Sequence, residues 1–125
     1  MCPCPPRLQA TLTFPQTVVL RYTVQEPGVA DAAADGYARW FVARLKLLTA
    51  ALADGREFLC AGRFTLSDVA VAFPLIMAGG LRNGGRPLSS FFKPAVAAYL
   101  ARLKARPAFC AMEAHEQREA ARSNL

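Results

Sequence analysis

The sequence has little charge and contains no apolar run long enough to cross a membrane. Charged residues make up 19% of the 125 residues and hydrophobic residues 54%, a balance that excludes general disorder because such a chain can bury a core. A membrane-spanning helix needs about 20 consecutive apolar residues, and Pro74 interrupts the best candidate. The first residues also lack the basic and apolar blocks of a signal peptide. We therefore expect a soluble, cytoplasmic protein with no membrane partner.

The sequence has a single histidine, His115, which gives its four cysteines no partner at metal-site spacing. Cys2 and Cys4 flank a proline, but a structural metal site usually adds a second pair of ligands. We expect no metal site and free thiols in a reducing compartment. Cys60 and Cys110 stand among apolar neighbours, which favours small core residues.

The net charge of +6 is spread along the chain instead of being gathered in one segment. A nucleic-acid interface usually concentrates its basic residues on one face, interleaved with stacking aromatics. The interpretations left open are ordinary solvated faces and affinity for small anions, and we expect no nucleic-acid partner. The scattered basic residues are Arg39, Arg44, Lys46, Arg56, Arg63, Arg82, Arg86, Arg102, Lys104 and Arg106.

The most informative stretch is residues 63–78, where a capping box precedes an apolar run. Thr65 and Asp68 are spaced so that the hydroxyl and the carboxylate can each accept a backbone N–H at the start of a helix. Phe64 and Val69 occupy the two positions of a hydrophobic staple. Apolar residues then fill almost every position to Met77. The pattern predicts a helix buried on most of its circumference, with these four residues in structural roles.

The remaining pattern predicts an all-α bundle of four or five helices and no sheet. Apolar residues recur at helical spacing over residues 30–52, and further helices begin at Pro94 and Pro107. Prolines predict a disordered or atypical lead over residues 1–16. The β-branched residues of 17–24 taken alone favour a strand.

The capping box and its surroundings together resemble the C-terminal helical domain of the glutathione S-transferases. The box follows a Phe-Leu-Cys-Ala-Gly segment at residues 58–62, and Arg-Pro-Ala-Phe follows at residues 106–109, in the order that the family has. The similarity runs from roughly Val18 to the C-terminus. It implies the family's C-terminal fold for residues 17–125, with residues 17–24 as the last turns of its first helix.

In this family a thioredoxin-like N-terminal domain holds glutathione and supplies the residue that activates its thiol. The helical domain provides a pocket wall for a hydrophobic electrophile, and much of the dimer contact. The resemblance covers this helical half alone, and it therefore implies no catalytic residue here. We expect the isolated chain to be inactive, with glutathione as co-substrate only when a thioredoxin-like domain, encoded upstream or supplied by a partner, completes it. We interpret the atypical lead as a misassigned start or a fused remnant.

Two residues are candidates for the substrate pocket. Tyr22 matches the end of the family's first C-domain helix, where some members carry a tyrosine that faces the electrophile, and a phenol there can donate to a developing anion. Arg21 could attract an acidic substrate group. The alternative for Tyr22 is a packing or surface residue, and the alternative for the chain is a non-catalytic helical interaction module.

Overall fold

A computed structural model of the chain describes residues 8–60 and 62–124, which form five α-helices and one short β-ribbon. A π-helical turn at Arg21–Gln25 extends the first helix, and a 3₁₀ turn at Leu88–Phe91 precedes the fourth. No described helix combines the length and the apolar character that a bilayer crossing requires. The helices are α1 (Leu8–Leu20), α2 (Asp31–Ala51), α3 (Leu66–Gly80), α4 (Pro94–Lys104) and α5 (Pro107–Ser123). The all-α prediction is therefore confirmed.

The hydrophobic core lies where α1 and α2 pack along each other and where α3 contacts α1 and α4. Its largest side chains are Phe41 of α2 and Tyr99 of α4, both fully buried. The predicted helical spacing of residues 30–52 is confirmed, because Phe41, Leu45 and Leu48 share the inner face of α2. The other buried apolar residues of the core are Leu12, Val19, Ala38, Leu52, Phe58, Leu59, Val71, Ala72, Leu75, Ala78, Leu81, Leu88, Val96 and Leu103.

The predicted lead over residues 1–16 is wrong from Leu8 onward, because α1 begins there; residues 1–7 lie outside the described residues. Pro15 stands inside α1 and lacks the N–H that would complete the helical ladder. The helix persists because its inner face is packed: Leu12 and Val19 are both fully buried in the core. Burial of such side chains, at about 1.5–3 kcal/mol each, is enough to offset the cost of the proline.

The strand interpretation of residues 17–24 is wrong, and the helical one is confirmed. Thr17 belongs to α1 and Thr23 to the π-helical turn that continues it. Both hydroxyls are satisfied within the helix: Thr17 donates to the Phe14 carbonyl at 2.6 Å, and Thr23 to the Val19 carbonyl at 2.7 Å. Tertiary packing of α1 therefore overrides the β-propensity of these side chains.

The helix α3 is buried less completely than its composition predicts. Its N-terminal half leaves Leu66 84% exposed, and Val69, Phe73 and Ile76 follow on the same side at spacings of three and four residues. Val71, Ala72, Leu75 and Ala78 occupy the opposite, buried side. The result is an apolar stripe on α3 that no described element covers fully.

The prediction that the chain has no sheet is wrong for four residues after α3. Strand β1 (Arg82–Asn83) pairs antiparallel with β2 (Arg86–Pro87). Gly84 and Gly85 join the strands with φ of +60° and +82°. Positive φ at both central positions is what a type I′ hairpin turn needs, so the two glycines form a tight turn.

Two cysteine predictions are also wrong. Cys60 is buried but disulfide-bonded instead of free. Cys110, the only other cysteine among the described residues, is a free thiol but lies exposed on α5 instead of in the core. An apolar neighbourhood in sequence does not place Cys110 inside, because α5 presents that position to solvent.

Candidate functional site

Asp68 is fully buried and joins three separate segments of the chain. Its Oδ2 accepts the backbone N–H of Thr65 at 2.9 Å, which confirms the predicted capping box. Its Oδ1 accepts the backbone N–H of Leu59 at 3.1 Å and the hydroxyl of Tyr99 at 2.6 Å. The carboxylate therefore fixes the start of α3 against the preceding connector and against α4. These contacts make Asp68 a structural residue.

The phenol of Tyr99 is held in its protonated form by this arrangement. Burial raises the pKa of Tyr99 well above its ordinary range, and the hydrogen bond to the Asp68 carboxylate raises it further. Arg102, whose guanidinium lies 5.9 Å from the ring centroid, opposes the shift. Tyr99 is thus a permanent donor at neutral pH, and it is unsuited to act as a general base.

An apolar groove lies directly outside this cluster, between α3 and α5. Its volume is about 230 Å³, which exceeds the roughly 150 Å³ of an engineered cavity that holds benzene. One wall is the exposed stripe of α3, and the other is the first turns of α5. The groove is lined by Phe64, Asp68, Val69, Ala72, Phe73, Ile76, Leu103, Arg106, Ala108, Phe109 and Met112.

The charge at the groove comes from one arginine. The Cζ of Arg106 lies 3.6 Å from the ring centroid of Phe64, a close cation–π contact, and 5.9 Å from that of Phe58. The two rings meet edge to face at 5.8 Å. Arg106 makes no ion pair or side-chain hydrogen bond with any described residue. Asp68, the other charged lining residue, has both oxygens occupied by the donors described above.

The lining of the groove is mostly apolar. Among the described residues, those that line it include no histidine, cysteine, serine or lysine, and its one carboxylate, Asp68, already accepts three hydrogen bonds. The same part of the chain contains no cluster of three acidic, cysteine or histidine residues that could hold a metal ion. What the groove supplies is an apolar surface, aromatic edges and one cation.

The structure places the predicted pocket residues elsewhere. Arg21 and Tyr22 lie in the π-helical turn after α1, and neither lines the groove between α3 and α5. Arg21 is exposed and its Nε donates to Glu26 at 2.7 Å. The same guanidinium lies 5.6 Å from the ring centroid of Tyr22. That Arg21 and Tyr22 belong to a substrate pocket stays a prediction, and the groove between α3 and α5 does not include them.

Sequence reasoning located half of the groove without recognising it as a site. Phe64 and Val69 were predicted as a structural staple, and both line the groove. The Arg-Pro-Ala-Phe segment at residues 106–109 was recognised, but Arg106 was counted only among the scattered basic residues. No local signal identifies its place at the groove, because its contact with Phe64 joins residues that are far apart along the chain.

Comparison of the chain with protein-family models, with curated proteins and with solved structures gives no match. The function must therefore be argued from the groove and its surroundings. Two features carry that argument: the clasp that Asp68 makes at the start of α3, and the unpaired charge of Arg106 at the groove.

Proposed function

We propose that the chain is a helical domain of the glutathione S-transferase C-terminal type, and that its groove between α3 and α5 binds a small hydrophobic electrophile. The observation that carries the proposal is the buried Asp68 capping box at the start of a central helix, followed by α4 and by the Arg106–Pro107 junction that opens α5. The order of these features along the helical bundle agrees with the resemblance seen in the sequence.

In this proposal the groove orients the substrate and shields it from water. Val69, Phe73 and Met112 offer apolar contacts to its body, and removal of apolar area from water provides the affinity at about 25 cal/mol per Å². Glutathione and the group that activates its thiol would come from a thioredoxin-like domain, upstream or on a partner. The groove alone should therefore bind the electrophile without conjugating it.

The proposal is tested by titrating the isotopically labelled chain with 1-chloro-2,4-dinitrobenzene and following amide shifts by NMR. We expect shifts on both walls of the groove, and no conjugation when glutathione is added. Phe73→Ala should weaken binding severalfold, because Phe73 is 57% exposed on the groove wall. Leu47→Ala is the control, since Leu47 is 50% exposed on α2, away from the groove. Conjugation by the chain alone, or equal effects of the two substitutions, would contradict the proposal.

The alternative is a non-catalytic interaction module, which the exposed stripe of α3 favours. Leu66, Phe73 and Ile76 are exposed on one side of α3, and contiguous exposed apolar residues are typical of interaction surfaces. In that case the groove would take an apolar side chain of a partner helix instead of a small molecule. A labelled chain that shows no shift with aryl halides, but does with an amphipathic helical peptide, would favour this module.

A homodimer is a further part of the proposal, and a second surface supports it. Phe14, Tyr37 and Trp40 form an aromatic cluster on α1 and α2, with ring centroids 5.3–6.2 Å apart. Arg44 lies over Trp40 at 5.5 Å. Sedimentation velocity over a concentration series tests the dimer: Trp40→Ala should shift the chain toward monomer, whereas Leu47→Ala, which removes an exposed residue of α2, should not.

A further inference from the structure

We infer that the groove between α3 and α5 selects amphipathic acids: a carboxylate with an aromatic or medium-length aliphatic body, bound head-on by Arg106. The inference rests on the groove proposed above as a binding site, and it adds the chemical class of the ligand. It comes from the position of one guanidinium, which is half-buried and lines an otherwise apolar groove without a carboxylate partner among the described residues.

The geometry of Arg106 leaves its hydrogen-bonding fork free for a ligand. One face of the guanidinium is stacked on Phe64 at 3.6 Å, which fixes the plane and removes water from that face. Its side-chain N–H groups donate to no described residue. A planar fork of this kind pairs with a carboxylate through two parallel hydrogen bonds, and such pairs are stronger when partly desolvated.

The charges that line the groove favour an acidic ligand over a basic one. Asp68 is the only carboxylate of the lining, and its oxygens already accept from Leu59, Thr65 and Tyr99. It is fully buried, so the half-exposed charge at the groove is the cation of Arg106. The net charge of +6 adds a long-range attraction for anions.

The dimensions of the groove suit a ligand body of about one ring with a short chain. A volume of about 230 Å³ accommodates a substituted benzene, given that roughly 150 Å³ is enough for benzene itself. Phe73, Ile76 and Met112 would contact this body while the carboxylate pairs with Arg106 at the α4–α5 junction.

The test compares 4-phenylbutyrate with its neutral amide by NMR titration of the labelled chain. The acid should bind about 10- to 100-fold more tightly, the factor expected for hydrogen bonds to a charged group. Arg106→Gln should abolish this preference and leave the affinity for the amide unchanged. Arg118→Gln, which removes an exposed positive charge further along α5, should preserve it. The preference should also fall as salt is raised, because ions screen the pair.

The outcomes separate this inference from the proposed function. If the amide binds in the groove as tightly as the acid, Arg106 reads no carboxylate and this inference is overturned, while the apolar site stands. If neither compound shifts the groove residues, both proposals fail. If the Arg106→Gln variant still prefers the acid to the amide, another residue binds the carboxylate, and the inference about Arg106 is overturned.

A second substitution covers the case in which Arg106→Gln unfolds the chain. Arg106→Lys keeps the charge and the aliphatic stem but lacks the planar fork. The acid should then weaken about threefold to tenfold while the amide binds as before. Unchanged binding of the acid would contradict the paired hydrogen bonds.

Discussion

Replacement of Asp68 by alanine tests how much of the stability depends on one buried carboxylate. The loss of the cap costs about 1 kcal/mol. The backbone N–H of Leu59 and the hydroxyl of Tyr99 lose their acceptor in a buried site, at about 1–3 kcal/mol each. We therefore expect Asp68→Ala to lower the free energy of unfolding by about 4 kcal/mol, a large share of the 5–15 kcal/mol typical of a domain.

A double-mutant cycle with Tyr99 separates the cap from the hydroxyl contact. Tyr99→Phe removes one hydrogen bond to a charged acceptor while Asp68 keeps its backbone donors, so we expect a loss of about 2 kcal/mol. The double variant should lower the free energy of unfolding by about 4 kcal/mol, instead of the about 6 kcal/mol expected if the two single effects added. The reason is that Asp68→Ala leaves no buried hydroxyl without an acceptor when residue 99 is Phe. The coupling between the sites is then about 2 kcal/mol.

Urea unfolding followed by circular dichroism at 222 nm measures all three variants. Asp31→Ala is the control, since Asp31 is an exposed carboxylate in the first turn of α2, and it should cost only about 0.5 kcal/mol. If Asp68→Ala costs no more than the about 1 kcal/mol of the lost cap, the carboxylate does not join three segments. The same follows if the effects of the two single variants simply add.

Three further predictions follow from buried or paired polar groups. Gln16→Glu should lower the free energy of unfolding by about 3 kcal/mol at neutral pH, because Gln16 is fully buried and its Nε2 donates to the Pro74 carbonyl at 2.7 Å. Urea titrations at acidic pH should show part of the lost stability restored, because the introduced carboxyl is then protonated. The guanidinium of Arg56 lowers the pKa of Asp54 to about 2. The contribution of this ion pair to stability is therefore complete above the ordinary aspartate pKa of 3.8 and is lost as pH falls through about 2. In Arg56→Gln, carboxyl NMR should show the titration midpoint of Asp54 rising toward 3.8. Because the pKa of Tyr99 is raised in the folded state, the phenol ionises first in the unfolded state. The free energy of unfolding should therefore fall above about pH 10, by up to about 1.4 kcal/mol per pH unit. Tyr99→Phe should remove that slope when unfolding is measured from about pH 9 to about pH 11.5.

The elements that the sequence predicts well are those determined by local spacing. The capping box needs only Thr65 and Asp68 in one turn, and the core face of α2 needs only helical repetition of apolar residues. The hairpin after α3 also depends on a local feature, since the Gly84-Gly85 pair suits the two central positions of its turn. The prediction of a chain without a sheet overlooked this signal.

The features that the sequence could not give depend on how distant elements dock. Tyr99 reaches Asp68 only because α4 packs against α3, and no spacing rule links the two residues. The helical state of Pro15 depends in the same way on burial against α2 and α3. Arg106 faces the groove because its side chain lies on Phe64, a contact between residues that are far apart along the chain. Propensity scales describe none of these tertiary effects.

The two walls of the groove differ in how firmly they are attached to the domain. The α3 wall is backed by the core, whereas α5 has no buried residue over Pro107–Ser123. Amide hydrogens of α5 should therefore exchange with solvent well before those of α3, since local opening follows the lack of buried contacts. A molecule seated against Phe109 and Met112 would slow that exchange, so the last helix of the chain would act as a built-in reporter of occupancy.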